Sequence, residues 1–187
     1  IRQDLAALVG PRDPYEHLQA LNAAGTYVAE QFRAAGLTVS EDAFRAEGHL
    51  VRNIVGIHRG TSAPQEEVLV VAHYDTKPGT PGADDNASAV AAMIESARAL
   101  VSTRFERTLI FVGFTLEEYG YQGSRRFARR AKEERREIVG VLDLEMVGFT
   151  SPVQRLPPGI RGRSIGDFIG VVGNRKSRRL VETFVDS

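Results

Sequence analysis

Three runs of apolar residues, each followed by acidic residues, constrain the fold of this chain most strongly. They are VLVVAH before YDT, TLIFVGF before TLEE, and IVGVL before DLE. Runs that are apolar throughout are typical of strands covered on both faces. Between the first two runs, Ala87, Val90, Ala91, Ile94 and Val101 follow the spacing of one helix face. Strands that alternate with helices predict an α/β fold, a three-layer α/β/α sandwich around a mixed, mostly parallel sheet.

The remaining segments fit the same scheme. A first helix is predicted to have Asp13 as its cap, Pro14 as its first helical residue and Gly36 as its stop signal. Further helices are expected at about 120–134 and from 175 onwards, with a loop at 150–164. Strands are predicted at 37–44, 50–60, 66–76, 107–114, 137–146 and 165–173.

Composition and charge limit the kinds of partner that this chain is expected to bind. The 187 residues suffice for one domain with a core, and we predict a single domain over residues 1–187. Lys plus Arg number 24 and Asp plus Glu 24, so the net charge predicts neither a nucleic-acid partner nor a membrane-surface partner. No run reaches the roughly 18 apolar residues of a membrane span, and no signal peptide is visible. The absence of cysteine excludes thiolate metal sites.

Polar clusters follow the predicted strands, where ligands bind in open α/β sheets. His73 and Asp75 lie two positions apart on a strand and therefore share a face. They fit a metal-binding imidazole with its orienting carboxylate, or a core histidine bonded to an aspartate. Asp84, Asp85 and Asn86 precede an apolar helix. They fit a carboxylate that bridges two cations, or ordinary helix caps.

Two further acidic pairs follow later strands. Glu117 and Glu118 fit a general base beside a metal ligand, or a solvated helix start. Asp143 and Glu145 lie in apolar company, which favours a metal or a salt bridge to an arginine. Together the clusters supply nitrogen and oxygen ligands at one edge of one sheet, enough for two hard or borderline cations. Two such metals can activate water and clamp a carbonyl.

Four segments in order, AHYDT, GADDNASAVAAMIE, LEEYGYQGS and LDLEMVG, resemble the motifs of the co-catalytic zinc aminopeptidases. These are exopeptidases of the bacterial leucyl-aminopeptidase type with a zinc-exopeptidase-like α/β fold. The resemblance covers about residues 14–185. It implies a zinc-dependent hydrolase that removes the N-terminal residue of peptide substrates, with a zinc-activated water and Glu117 as general base.

Carried over by position, His73 resembles the imidazole ligand of the first zinc and Asp75 its catalytic partner behind the ring. Asp85 resembles the carboxylate that bridges both zincs. Glu145 stands where most family members have an Asp that binds the first zinc. Asp143 is the alternative for that ligand.

The same comparison makes Glu117 the catalytic base and Glu118 a ligand of the second zinc, while Asp84 and Asn86 flank the bridging carboxylate. The family's second zinc takes a further histidine late in the domain, but none of the four histidines here follows His73. We therefore expect a chain that is incomplete at its C-terminus. Two zincs are expected for a complete domain and at most one held tightly by this chain.

Two alternatives remain open from the sequence. A single-zinc enzyme similar to glutaminyl cyclases would share the sheet, and a catalytically inactive binding domain would share the fold. The intact Glu117–Glu118 pair and the GADDN segment favour the peptidase. The resemblance also suggests export from the cytoplasm, whereas the oligomeric state and the preferred N-terminal residue are not indicated.

Overall fold

The computed structural model of the protein describes residues 1–153 and 165–186. The chain divides into two compact units, Ile1–Val147 and the residues from Gly148 onwards. In the first unit, the helices and strands described are α1 Arg2–Leu8, α2 Leu18–Ala34, β1 Thr38–Ala46, β2 His49–His58, β3 Ala63–His73, α3 Ala89–Leu100, β4 Arg107–Phe114, α4 Gln122–Glu133 and β5 Glu137–Asp143. The second unit contains a 3-10 turn, Arg175–Ser177, and α5, Arg178–Asp186.

The strands of the first unit form one mixed sheet with the order β1-β2-β4-β3-β5. Strands β3, β4 and β5 are parallel, whereas β1 and β2 run antiparallel to their neighbours. The register places His73 beside Phe114 and Val71 beside Asp143, so the three parallel strands end at the same edge. The predicted α/β class with a mixed sheet is confirmed.

Strand β4 shows why its sequence is apolar throughout. Leu109 and Phe111 belong to a core cluster that includes residues of α2 and α3. Ile110 and Val112 belong to a second cluster with Phe127 of α4. Because side chains alternate along a strand, β4 is covered on both faces, and helices lie on both sides of the sheet.

The predicted start of the first long helix is wrong. Helix α2 begins at Leu18, not after Asp13, because Asp13 closes a separate turn. Its Oδ1 accepts hydrogen bonds from the backbone N–H groups of Tyr15 and Glu16 at 3.0 and 2.8 Å. The sequence analysis also missed the short helix α1, in which Leu8 contributes to the core.

The strand predicted at 165–173 is also wrong. Only Gly166 pairs there, in an isolated bridge to Ser151, and Ile169 and Val172 are exposed. A strand needs a hydrogen-bonded neighbour along its length, and this segment has none among the described residues. The helix predicted from 175 is confirmed by the 3-10 turn and α5, whereas most of the predicted loop at 150–164 lies outside the described residues.

The single-domain organisation stays a prediction. Within residues 1–153 and 165–186, no helix combines the length and the apolar character that crossing a bilayer requires.

Phe32 provides a test of the core on the α2 side. Its ring is fully buried and lies 6.1 Å, between centroids, from the ring of Phe111. We expect Phe32→Ala to lower the free energy of unfolding by about 3–5 kcal/mol, through lost burial and the cavity left behind. Leu50→Ala, at a side chain that is 60% exposed, should change it by less than about 0.5 kcal/mol. Urea titration of both variants measures the difference, and equal losses would contradict this packing.

Candidate metal centre

The shared edge of the parallel strands gathers the predicted site residues. His73 is the last residue of β3, Glu117 follows β4 by three residues, and Glu145 follows β5 by two. The fourth group, Asp85, comes from a kinked helical turn, Ala83–Ser88, in which its own backbone is not helical (φ −102°, ψ 92°). Four separate segments therefore converge, as the sequence predicted.

Three of these side chains are close enough to share one cation. His73 Nε2 lies 3.1 Å from Asp85 Oδ1 and 3.5 Å from Glu145 Oε2. One ligand atom from each residue lies within 4.8 Å of the others, and this is the one such group found within residues 1–153 and 165–186.

The geometry of this group fits zinc. Ligand atoms about 2.0–2.2 Å from a tetrahedral zinc lie roughly 3.3–3.6 Å from one another, close to the separations of Asp85 and Glu145 from His73. Asp85 Oδ1 is buried without a hydrogen-bond partner among the described residues. A buried carboxylate oxygen without a hydrogen bond is costly unless a cation compensates it, as either a protonated His73 imidazole at 3.1 Å or a bound metal would. One imidazole nitrogen with two carboxylates is also a common zinc donor set.

Asp75 connects the end of β3 to the turn after β4. Its side chain is fully buried, and Oδ1 lies 3.4 Å from His73 Nδ1. The two carboxylate oxygens accept the backbone N–H groups of Glu117 and Glu118 at 3.0 and 3.1 Å. The sequence predicted the contact with His73. It gave no sign that Asp75 also fixes the turn carrying both glutamates.

Glu117 and Glu118 diverge from that turn. Glu117 Oε2 lies 3.9 Å from His73 Nε2, so this carboxylate borders the three-residue group. Glu118 Oε2 lies 3.1 Å from Lys77 Nζ, outside the group. The predicted role of Glu118 as a second-zinc ligand therefore stays a prediction. Helix α4 begins only at Gln122, so the pair does not form a helix start.

Asn86 holds Glu145 in place. Its Nδ2 donates to Glu145 Oε2 at 2.9 Å and to the Leu144 carbonyl at 3.0 Å, and its Oδ1 accepts from Met146 N at 3.1 Å. The sequence identified Asn86 only as a flank of Asp85, since a contact across about 60 residues leaves no local pattern.

Asp143 and Asp84 lie outside the three-residue group. Asp143 ends the edge strand β5, and both Asp143 and Glu145 are exposed. Ser88 Oγ donates to Asp84 Oδ1 at 3.2 Å, and Ser88 rather than Asp84 or Asp85 is the N-cap of α3.

The pKa values of the site residues reflect how close these charged groups lie to one another. Burial lowers the pKa of His73, but Asp75 and Glu145 outweigh it and raise the value to about 10. Burial raises the pKa of Glu117, a shift that His73 opposes and the charge of Glu118 reinforces. Burial likewise raises the pKa of Glu118, although Lys77 counteracts it. The site therefore favours positive charge, which a divalent cation would supply.

Known proteins resemble this chain in sequence or in fold. Aminopeptidase YwaD of Bacillus subtilis is 37% identical over 100 residues, which are 52% of this chain and 22% of that protein. A probable zinc metalloprotease of Leptosphaeria maculans is 30% identical over 109 residues, 54% of this chain and 25% of that protein. The solved structure of Porphyromonas gingivalis glutaminyl cyclase has a TM-score of 0.67 and 26% identity, covering 82% of this chain and 58% of that one.

The chain thus spans a quarter or less of the two curated relatives and under two thirds of the solved structure. The sequence profile of Peptidase family M28 matches residues 53–179, which include all four motifs and the three-residue group. This match covers more than half of the sequence, and the chain therefore belongs to Peptidase family M28.

Proposed function

We propose that this protein is a zinc-dependent aminopeptidase. One observation carries the proposal: His73, Asp85 and Glu145 form a zinc-compatible group, and the Glu117 carboxylate borders it at 3.9 Å from His73 Nε2. A general base beside a metal-binding group is an arrangement that can activate water for peptide hydrolysis. The names of the relatives, an aminopeptidase and a probable zinc metalloprotease, support the same activity.

Each residue of the site would have a separate role in the reaction. Zinc, when bound, supplies Lewis acidity that polarises a carbonyl and makes water more acidic. Glu117 Oε2 would accept a proton from the attacking water and deliver it to the leaving amine. Asp75 would keep Glu117 in reach, since its carboxylate binds the Glu117 N–H at 3.0 Å. Asn86 would orient Glu145 through the 2.9 Å hydrogen bond.

We further propose that this chain holds one zinc tightly. The residues predicted for a second zinc are Asp85 and Glu118, and the Glu118 carboxylate is paired with the Lys77 ammonium at 3.1 Å. A second cation would have to displace that ammonium and would find no later histidine in the sequence.

Glutaminyl cyclisation is a second candidate function. The one three-residue group among the described residues and the likeness to a solved glutaminyl cyclase favour it. In that reaction the substrate's own α-amine attacks its glutamine side-chain amide and releases ammonia, so no water is consumed. Both reactions use a metal and a carboxylate that moves a proton, and substrates rather than site residues separate them.

Substrate choice tests the proposal directly. We expect the protein with zinc to release the aniline from leucyl-anilide but not from N-acetyl-leucyl-anilide, because an aminopeptidase requires a free α-amine. A glutaminyl peptide should release its N-terminal residue without forming pyroglutamate. Ammonia and pyroglutamate from that peptide, with no anilide hydrolysis, would instead establish the cyclase.

If Glu117 is the general base and not a ligand, its substitution should affect turnover but not zinc binding. Glu117→Gln should keep about one zinc per chain and lower kcat by about 10²–10⁴-fold, the usual contribution of a general base. Glu134→Gln makes the same chemical change at the end of α4, where Glu134 pairs with Arg130, and should leave kcat unchanged. Metal analysis and anilide hydrolysis measure both quantities. Full activity in Glu117→Gln would refute the assignment.

Whether Glu145 or Asp143 is the zinc ligand near the end of β5 can also be tested. Glu145→Gln should weaken zinc binding by more than about 100-fold, because losing a ligand costs more than the 10–100-fold typical of a partner behind it. Asp143→Asn, two residues earlier and outside the group, should change zinc affinity less than about threefold. Competition with a chelating dye gives both dissociation constants, and the reverse order would make Asp143 the ligand.

A further inference from the structure

Arg12 is a buried arginine whose guanidinium binds backbone carbonyls. Its side chain lies in the loop between α1 and α2, and the residue is only 3% exposed. The guanidinium donates to the carbonyls of Tyr74 at 2.8 Å, Gly82 at 3.1 Å and Gly10 at 2.6 Å, and also to that of Leu8. One side chain therefore ties three segments together, its own loop and two that follow more than 60 residues later.

Two of those segments carry the candidate metal ligands. Tyr74 stands between His73 and Asp75 at the end of β3, and Gly82 lies three residues before Asp85. The Arg12 guanidinium thus spans the backbone from which the imidazole and the Asp85 carboxylate project.

The backbone of Arg12 strengthens the same connection. Arg12 N donates to Thr76 Oγ1 at 2.8 Å, and Thr76 N donates to the Arg12 carbonyl at 3.1 Å. The Gly10 N–H also donates to the carbonyl of Pro81 at 2.8 Å. The segment around Arg12 is hydrogen-bonded to both sides of the loop that joins β3 to the Asp85 turn.

Gly82 gives an independent sign that this contact is specific. Its backbone is left-handed (φ 55°), and an added Cβ would lie 2.7 Å from Arg12 Nη2 and 2.2 Å from Thr76 Cγ2. Gly79 in the same loop is also left-handed (φ 73°), but an added Cβ would meet no atom within 4 Å. Of these two glycines, only Gly82 lies where the absence of a Cβ leaves room for the Arg12 guanidinium.

The charge of the buried guanidinium interacts with two carboxylates of the site. Burial lowers the pKa of Arg12 to about 10, while the charges of Asp75 and Asp85 act in the opposite direction. The group therefore remains cationic at neutral pH, and the charges of Asp75 and Asp85 favour that cation.

We propose that Arg12 is a positioning residue that sets the separation of His73 and Asp85 for zinc, by fixing the carbonyls of Tyr74 and Gly82. This inference rests on the zinc site of the proposed function. A role confined to stability would lower the resistance to unfolding and leave the zinc affinity of the folded protein unchanged. A positioning role changes that affinity and the geometry around the metal.

The test compares two variants with two matched controls in the purified protein. Arg12→Lys keeps the charge, but a single ammonium cannot reproduce the guanidinium fork. Arg98→Lys makes the same change at an arginine that pairs with Asp4 between α1 and α3. Gly82→Ala places a methyl group against the guanidinium, and Gly79→Ala places one in open space. Zinc dissociation constants, the visible absorption spectrum with Co²⁺ and thermal unfolding without metal are recorded for each.

We expect Arg12→Lys and Gly82→Ala to weaken zinc binding by about 10–100-fold, as groups that orient metal ligands do, and to alter the cobalt spectrum. Both controls should stay within about twofold of the wild type. An Arg12→Lys variant that unfolds at lower temperature but keeps wild-type affinity and spectrum would overturn the inference and leave the proposed function intact. A wild-type protein that binds no zinc would overturn both.

Discussion

The repulsion between carboxylates gathered around one imidazole is the constraint on which this structure depends. Asp75, Asp85, Glu117 and Glu145 all lie within 4 Å of His73, atom to atom. Carboxylates crowded around one group repel one another, and water screens only part of this repulsion, at the half-exposed Glu145 most of all. The fold resists this repulsion with two kinds of hydrogen bond: the backbone N–H groups of the turn after β4 donate to Asp75, and Asn86 donates to Glu145. Because four carboxylates are held around one imidazole, the site is suited to bind a cation.

Much of the fold and the edge that carries the site could be predicted from the sequence. The predicted bounds of β4, 107–114, agree with the structure, because a strand buried on both faces leaves a continuous apolar run. The parallel arrangement then placed the polar clusters at one edge, since the carboxyl ends of parallel strands coincide. His73, Asp85 and Glu145 could be selected because each stands beside such a strand end or a helix start.

Contacts between distant segments could not be predicted. Arg12 meets carbonyls up to 70 residues away, and nothing distinguishes it locally from the chain's exposed arginines. Asn86 reaches Glu145 across 59 residues. The strand predicted at 165–173 was wrong for the opposite reason. Its composition suits a strand, but among the described residues no neighbouring strand pairs with it along its length. Local preference selects candidates, and tertiary hydrogen bonding decides among them.

Strand β4 has a consequence for how this protein can change over evolution. Leu109 and Phe111 fill one core cluster while Ile110 and Val112 fill the other, so none of these four consecutive positions faces solvent. A polar residue at any of them would lose a hydrophobic contact in one layer, and a larger one would push against a helix. Since Glu117 follows only three residues after this strand, β4 should accept little beyond exchanges that conserve volume, whereas an exposed loop can drift freely.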